Sequence, residues 1–98
     1  MNNPAERGEI SLHEVRVVLA LQGKPDQWLT NRDISAAAKV AERTARQHTL
    51  RLVKLGVIDQ AEVFPAHRYR WSSKASKRNT AYTQRLQMAI EVFGLKAA

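Results

Sequence analysis

A mainly α-helical fold with one small β-hairpin, an α+β arrangement, is predicted by three features of this sequence. Apolar residues recur at helical spacing in four segments, and each segment is opened by a capping residue or closed by Gly. Residues 57–71 change to a two-residue period around Pro65. A polar, basic stretch at 72–78 then separates the hairpin from a last helical pattern. The expected order is helix, short strand, helix, helix, strand, strand, helix.

Residues 1–9 are expected to form a flexible leader. Ser11 followed by Glu14 is a capping-box pattern that opens a helix over residues 12–22, which Gly23 and Pro25 end. Leu12, Val15, Val18 and Leu19 make its core stripe. Val17 and Leu21 form a second apolar line, which needs a second partner: the C-terminal helix or another subunit. Residues 28 and 29 fit a short strand, with Trp28 expected in the core. Thr30 and Asp33 repeat the capping-box pattern, the hydroxyl accepting an orphan N–H while the acid favours the positive helix end. Ile34, Ala37 and Ala38 give that short helix one apolar side.

The next helix follows Val40. A wheel at about 100° per residue places Ala45, Thr49, Leu52 and Gly56 on one inner stripe, with His48 and Leu55 at its edge. Arg43, Arg46, Gln47, Leu50, Arg51 and Lys54 take the other side, a long-armed cationic surface with no carboxylate after Glu42. Gly56 stops the helix. Strands at 57–64 and 67–71 then flank Phe64-Pro65-Ala66-His67, a turn with Pro65 at its favoured second position. Symmetry about Pro65 and Ala66 puts Ile58, Phe64, His67, Tyr69 and Trp71 on one face, expected to pack inward. Val63, Arg68 and Arg70 share the outward face. After the expected linker at 72–78, Tyr82, Leu86, Ala89, Ile90 and Phe93 line a helix over 79–93 closed by Gly94. This helix is expected either to pack beside the first one or to dimerise. Tyr82, Leu86, Ile90 and Phe93, with the Val17 and Leu21 line, are the dimerisation candidates.

The run Ala41-Glu42-Arg43-Thr44-Ala45, the pair His48-Thr49, and Leu52 followed by Gly56-Val57-Ile58 sit between a capped helix and a hairpin. In these positions residues 30–71 resemble the winged helix-turn-helix of bacterial transcriptional regulators of the ArsR/MarR-like kind. Lys39 stands where that pattern often has Gly, so it must take positive φ or use a different turn. Ala41 stands where Ser or Thr usually caps. The resemblance implies a DNA-binding domain over 10–71, the basic linker 72–78, and a segment 79–98 for packing or dimerisation. It further implies that the helix at 42–55 enters the major groove of duplex DNA while the wing at 57–71 meets the backbone or the minor groove. Arg43, Arg46 and Gln47 are then the candidates for base edges, because Arg pairs bidentately with G and Gln with A. Thr44, Arg51, Lys54, Arg68, Arg70, Lys74 and Lys77 are the candidates for phosphates. Leu50 is expected either to meet a thymine methyl or to be buried by the preceding helix.

The charge distribution agrees. Of the net charge of +7, residues 1–30 contribute nothing positive, with three basic and four acidic side chains, and residues 31–62 hold six against four. Residues 63–90 carry six basic side chains and no acid. The excess therefore falls on the helix, the wing and the stretch after it, as an electrostatic footprint for phosphates requires. With 98 residues the chain has room for one modest core. It has no Cys, which removes a disulfide framework and any thiolate metal or redox site. The N-terminus has acids where a signal peptide needs bases, and no apolar stretch reaches membrane-spanning length, so a cytoplasmic protein is expected.

Enzyme chemistry is not expected. His13, His48 and His67 lie on three different predicted elements, without metal-ligand or paired-carboxylate spacing, and the four Gly form no phosphate loop. No metal or cofactor is expected. The reading is a homodimeric transcriptional regulator that binds double-stranded DNA. A replication, partition or excision accessory protein on the same module, or a winged helix that binds protein, is the alternative.

Overall fold

A computed structural model describes residues 10–63 and 65–95. The expected leader at 1–9 and the inward placing of Phe64 lie outside those residues. The elements are α1 (Leu12–Gln22), α2 (Asn31–Ala38), α3 (Glu42–Leu55), β1 (Ile58–Val63), β2 (Ala66–Trp71), α4 (Ala75–Arg78) and α5 (Thr80–Phe93). This is the order expected of a winged helix, with α4 added.

Local chemistry sets the helix ends. The Thr30 box is complete: Thr30 N–H donates to Asp33 Oδ2 at 3.0 Å and Asp33 N–H to Thr30 Oγ1 at 3.1 Å. The Thr30 N–H holds the Asp33 carboxyl below its ordinary range. The Ser11 box is only half formed. Ser11 Oγ accepts from Glu14 N–H at 3.2 Å, but the Glu14 side chain turns away into the protein. Between α2 and α3, Lys39 takes the left-handed conformation, φ 58° and ψ 46°, at a cost of roughly 1–2 kcal/mol for a non-Gly residue. Two bonds across the turn offset it: Lys39 N–H donates to Ser35 O, and Ser35 Oγ donates to Val40 O at 2.6 Å. Ala41 supplies no side-chain cap to α3. Gly56 ends α3 at φ 79°, with its N–H aimed at the carbonyls of Leu52 and Val53.

The hairpin is antiparallel, with Ile58 opposite Trp71 and Val63 opposite Ala66. Every β2 partner thus lies two positions earlier than symmetry about Pro65 and Ala66 predicts. Because the side-chain period is two, that slip leaves Ile58, His67, Tyr69 and Trp71 on one face and Arg68 and Arg70 on the other, as expected. Leu29 adds the short third strand as a single bridge to Tyr69, with N–H to O distances of 2.8 and 2.7 Å. It is Leu29 that enters the core; Trp28, expected there, is half-buried. The linker expected at 72–78 contains α4. Asn79 then joins two helices: its Oδ1 accepts from Tyr82 N–H at 3.1 Å, and its Nδ2 donates to Leu55 O, at the end of α3, at 3.0 Å.

The core gathers on α1, which packs against α2, α3, β2 and α5. Val15, Val17, Val18 and Leu21 are fully buried there, together with Ile34, Ala45, Leu52, Val57 and Tyr82. A helix with apolar lines on more than one side packs against more than one partner. The second apolar line of Val17 and Leu21 therefore meets the chain's own elements, while Leu12 and Leu19, expected in the core stripe, are only half-buried. Tyr82 and Leu86 are likewise interior at 0% and 3% exposure. These four residues, expected as dimerisation candidates, are consumed by the monomer's core. Ile90 is half-buried and Phe93 is exposed.

Candidate nucleic-acid interface

Burial on α3 follows the helical period. Ala45, Thr49 and Leu52 are buried, and Thr49 Oγ1 donates to Asn31 Oδ1 on α2 at 2.8 Å, fixing the two helices of the motif together. Arg43, Arg46, Gln47, Leu50 and Lys54 are exposed, and Thr44 is half-buried. Arg46 stands 4.0 Å from Glu42 one turn earlier, but both side chains are more than half exposed, so the pair contributes little and leaves Arg46 available.

Arg51 does not belong to this face. Its Nε donates to Glu14 Oε1 at 2.8 Å, and the carboxylate is 4% exposed against 30% for the guanidinium. Tyr82 O–H donates to the second oxygen, Glu14 Oε2, at 2.7 Å. His48 Nδ1 lies 3.3 Å from Oε1, close enough for electrostatic contact but without the geometry of a hydrogen bond, and has no other partner among the described residues. One buried carboxylate on α1 thereby ties α3 to α5. Burial opposes its charge, yet His48, Tyr82 and Arg51 together outweigh that and hold the Glu14 carboxyl below its ordinary range. Burial, and then the neighbouring Glu14 charge, push the Tyr82 phenol well up.

The wing also redistributes its cations. Arg70 lays its guanidinium 4.3 Å from the Trp28 ring centroid and approaches Asp59 at 3.5 Å, so it covers an aromatic face instead of projecting outward as expected. Arg78 donates to the same Asp59 at 2.9 Å. Arg68 is half-buried, and its charge reaches Asp33 at the start of α2. Lys74 and Lys77 are exposed. The aromatic face packs inward at its base, through the buried Ile58 and Tyr69 and the half-buried Trp71. Toward the tip, His67 is exposed and its Nδ1 lies 2.6 Å from Gln60 Nε2.

Between these elements lies an open cleft of about 560 Å³. Arg46 and Leu50 of α3 form one wall, Gln60, His67 and Tyr69 of the hairpin another, and Arg32 stands at the α2 end. Of the expected site residues, Arg46 alone lines this cleft, while Arg43, Gln47 and Lys54 continue the exposed surface. Arg32, Gln60 and His67 were not expected. The signal for Gln60 and His67 is their shared hairpin face beyond the buried Tyr69; that for Arg32 is its place beside the Thr30 cap. Among the described residues no three His, Asp or Glu side chains gather as a metal set, and no helix is long and apolar enough to cross a membrane.

No family model and no curated protein matches the sequence. Solved structures do match the fold. MepR, a transcription regulator of the Staphylococcus aureus multidrug efflux pump MepA, superposes with a TM-score of 0.61 at 16% identity, over 91% of this chain and 67% of its own. A possible transcriptional regulator from Methanosarcina mazei Go1 gives 0.61 at 17% identity, over 87% and 74%. Sso10a-2, a DNA-binding protein from Sulfolobus solfataricus, gives 0.56 at 11% identity, over 82% and 84%. At these identities the likeness establishes the architecture: the chain has a winged-helix fold.

Proposed function

We propose that this chain is a MarR-like transcriptional regulator that binds duplex DNA sequence-specifically, with α3 in the major groove and the β1–β2 wing against the backbone or the minor groove. The observation that carries this reading is the outer face of α3, where Arg43, Arg46, Gln47 and Lys54 remain exposed on a helix whose other side is locked into the core. An Arg/Gln face on a rigid helix supplies bidentate base contacts, and flanking Lys and Arg supply phosphate contacts. Support also comes from the structural neighbours, which include a MepR variant bound to an oligodeoxyribonucleotide, with a TM-score of 0.61 and 15% identity.

The assignment of cations follows their surroundings. Arg43, Arg46 and Gln47 read bases; Lys54, Arg68, Lys74 and Lys77 meet phosphates; Arg51 and Arg70 support the frame. The unit 10–71 carries the base contacts, the basic stretch 72–78 adds phosphate contacts through Lys74 and Lys77, and α5 mediates a cytoplasmic homodimer. The dimer face moves from the one expected: Met88 and Val92, 65% and 80% exposed, lie one turn apart beside Phe93 at 40%. Fluorescence anisotropy of a duplex selected from random DNA tests the reading. About six neutralised phosphates predict an affinity that falls on the order of a thousandfold between roughly 50 and 200 mM salt. A flat titration removes DNA from the account.

A further inference from the structure

Among the described residues four large apolar side chains are exposed, and three of them, Met88, Val92 and Phe93, crowd the end of α5. The fourth is Leu50, 53% exposed in the middle of the cationic face of α3. It follows Arg43 and Gln47 and precedes Lys54 at helical spacings of seven, three and four residues, and Arg46 lies one turn before it. The core does not use it, since the buried stripe of α3 is Ala45, Thr49 and Leu52, and α2 leaves it uncovered. It lines the cleft that the wing shares with Arg46.

Resting on the DNA-binding reading above, we propose that Leu50 is a specificity-determining residue that packs against the 5-methyl group of a thymine in the major groove. The chemistry leaves one match. Of the groups that base edges present in the major groove, the C5 methyl of thymine is the apolar one; the rest are hydrogen-bond donors and acceptors. Leu can pair with none of those. Seated against the N4 amino group of cytosine or a purine edge, it would strip water from a polar group without replacing the bond. Seated against thymine, it buries a methyl and its own exposed side chain. Leu50 therefore selects a T·A pair next to the positions read by Arg46 and Gln47, about one turn before it on α3.

The test uses a duplex selected from random DNA, with each thymine replaced in turn by deoxyuridine, which removes the methyl and nothing else. The wild-type chain is expected to lose about fourfold in affinity, the value of one buried methyl, at one position per bound subunit. Leu50→Ala is expected to bind the thymine duplex more weakly and to show no further loss with deoxyuridine. Its melting temperature should match the wild type, because the side chain is outside the core. A selected site with no deoxyuridine-sensitive thymine overturns the proposal, as does a sensitivity that persists in Leu50→Ala. Loss of a protein partner with unchanged DNA binding in Leu50→Ala assigns the residue to a protein contact and also overturns it. Absence of salt-dependent duplex binding by the wild type overturns the DNA reading itself, so the two failures are distinct.

Discussion

Replacing Glu14 by Ala removes the one carboxylate that α1 offers to α3 and α5. Tyr82 O–H, fully buried, loses an ionised acceptor at 2.7 Å, which costs about 1.5–3 kcal/mol. Arg51 loses its ion pair, but at 30% exposure it can turn toward water, so its share is nearer the ~0–1 kcal/mol of a surface pair. The total, about 1.5–4 kcal/mol, falls somewhat short of the cost of breaking a fully buried pair. For a chain of this size each kcal/mol lowers Tm by roughly 4–5 °C, so thermal unfolding followed by circular dichroism should show a fall of roughly 6–20 °C. Acid adds a second readout. The folded-state carboxyl is depressed below its ordinary value of 4.5, so its contribution is fully present above that pH and is lost as pH falls through the lower folded value. Wild-type stability should therefore drop more steeply below about pH 4.5 than that of Glu14→Gln, which has no charge to lose. A Glu14→Ala Tm within about 3 °C of wild type, or parallel acid profiles for wild type and Glu14→Gln, refutes the network as a stabilising element.

Arg51→Ala should lower Tm yet leave the slope of log affinity against log salt unchanged, whereas Lys54→Ala should reduce that slope by about one unit with Tm intact; the reverse pattern returns Arg51 to the phosphates. Gln47→Ala should cost roughly 1–3 kcal/mol on the selected duplex and little on scrambled DNA, because an amide contributes a hydrogen-bond pattern and releases no counterion. In sedimentation, Val92→Glu should dissociate a homodimer while the far-ultraviolet spectrum stays folded, since Val92 is 80% exposed in the monomer; a wild type that is monomeric at high concentration removes the dimer.

What the sequence made legible was local. Thr30 with Asp33, Gly56 and Gly94 mark helix ends because capping chemistry acts within four residues, and the structure places α2, α3 and α5 accordingly. The hairpin faces survived a wrong turn placement because a two-residue slip preserves alternation. Long-range pairing was not legible. Glu14 and Arg51 are 37 positions apart, and Glu14 read as the third residue of a capping box, a local role that the buried bonds to Arg51 and Tyr82 override. A clue existed: α3 has no acid of its own after Glu42, so a cation turning inward had to find one elsewhere. Arg70 read as outward from strand parity, which is correct for its face; that Trp28 lies on that face depends on the Leu29 bridge, which no periodicity specifies. Val17 and Leu21 looked surplus because a single stripe suffices for a surface helix, and α1 is central.

The central claim is that α3 and the wing form the DNA surface, and amide chemical-shift mapping of the isotope-labelled chain against a selected duplex tests it most directly. The account predicts that shifts concentrate on residues 42–54 and on the hairpin around 60–68, with α1 and the outer face of α5 unmoved. Shifts confined to α5 and α1, with α3 silent, would contradict it.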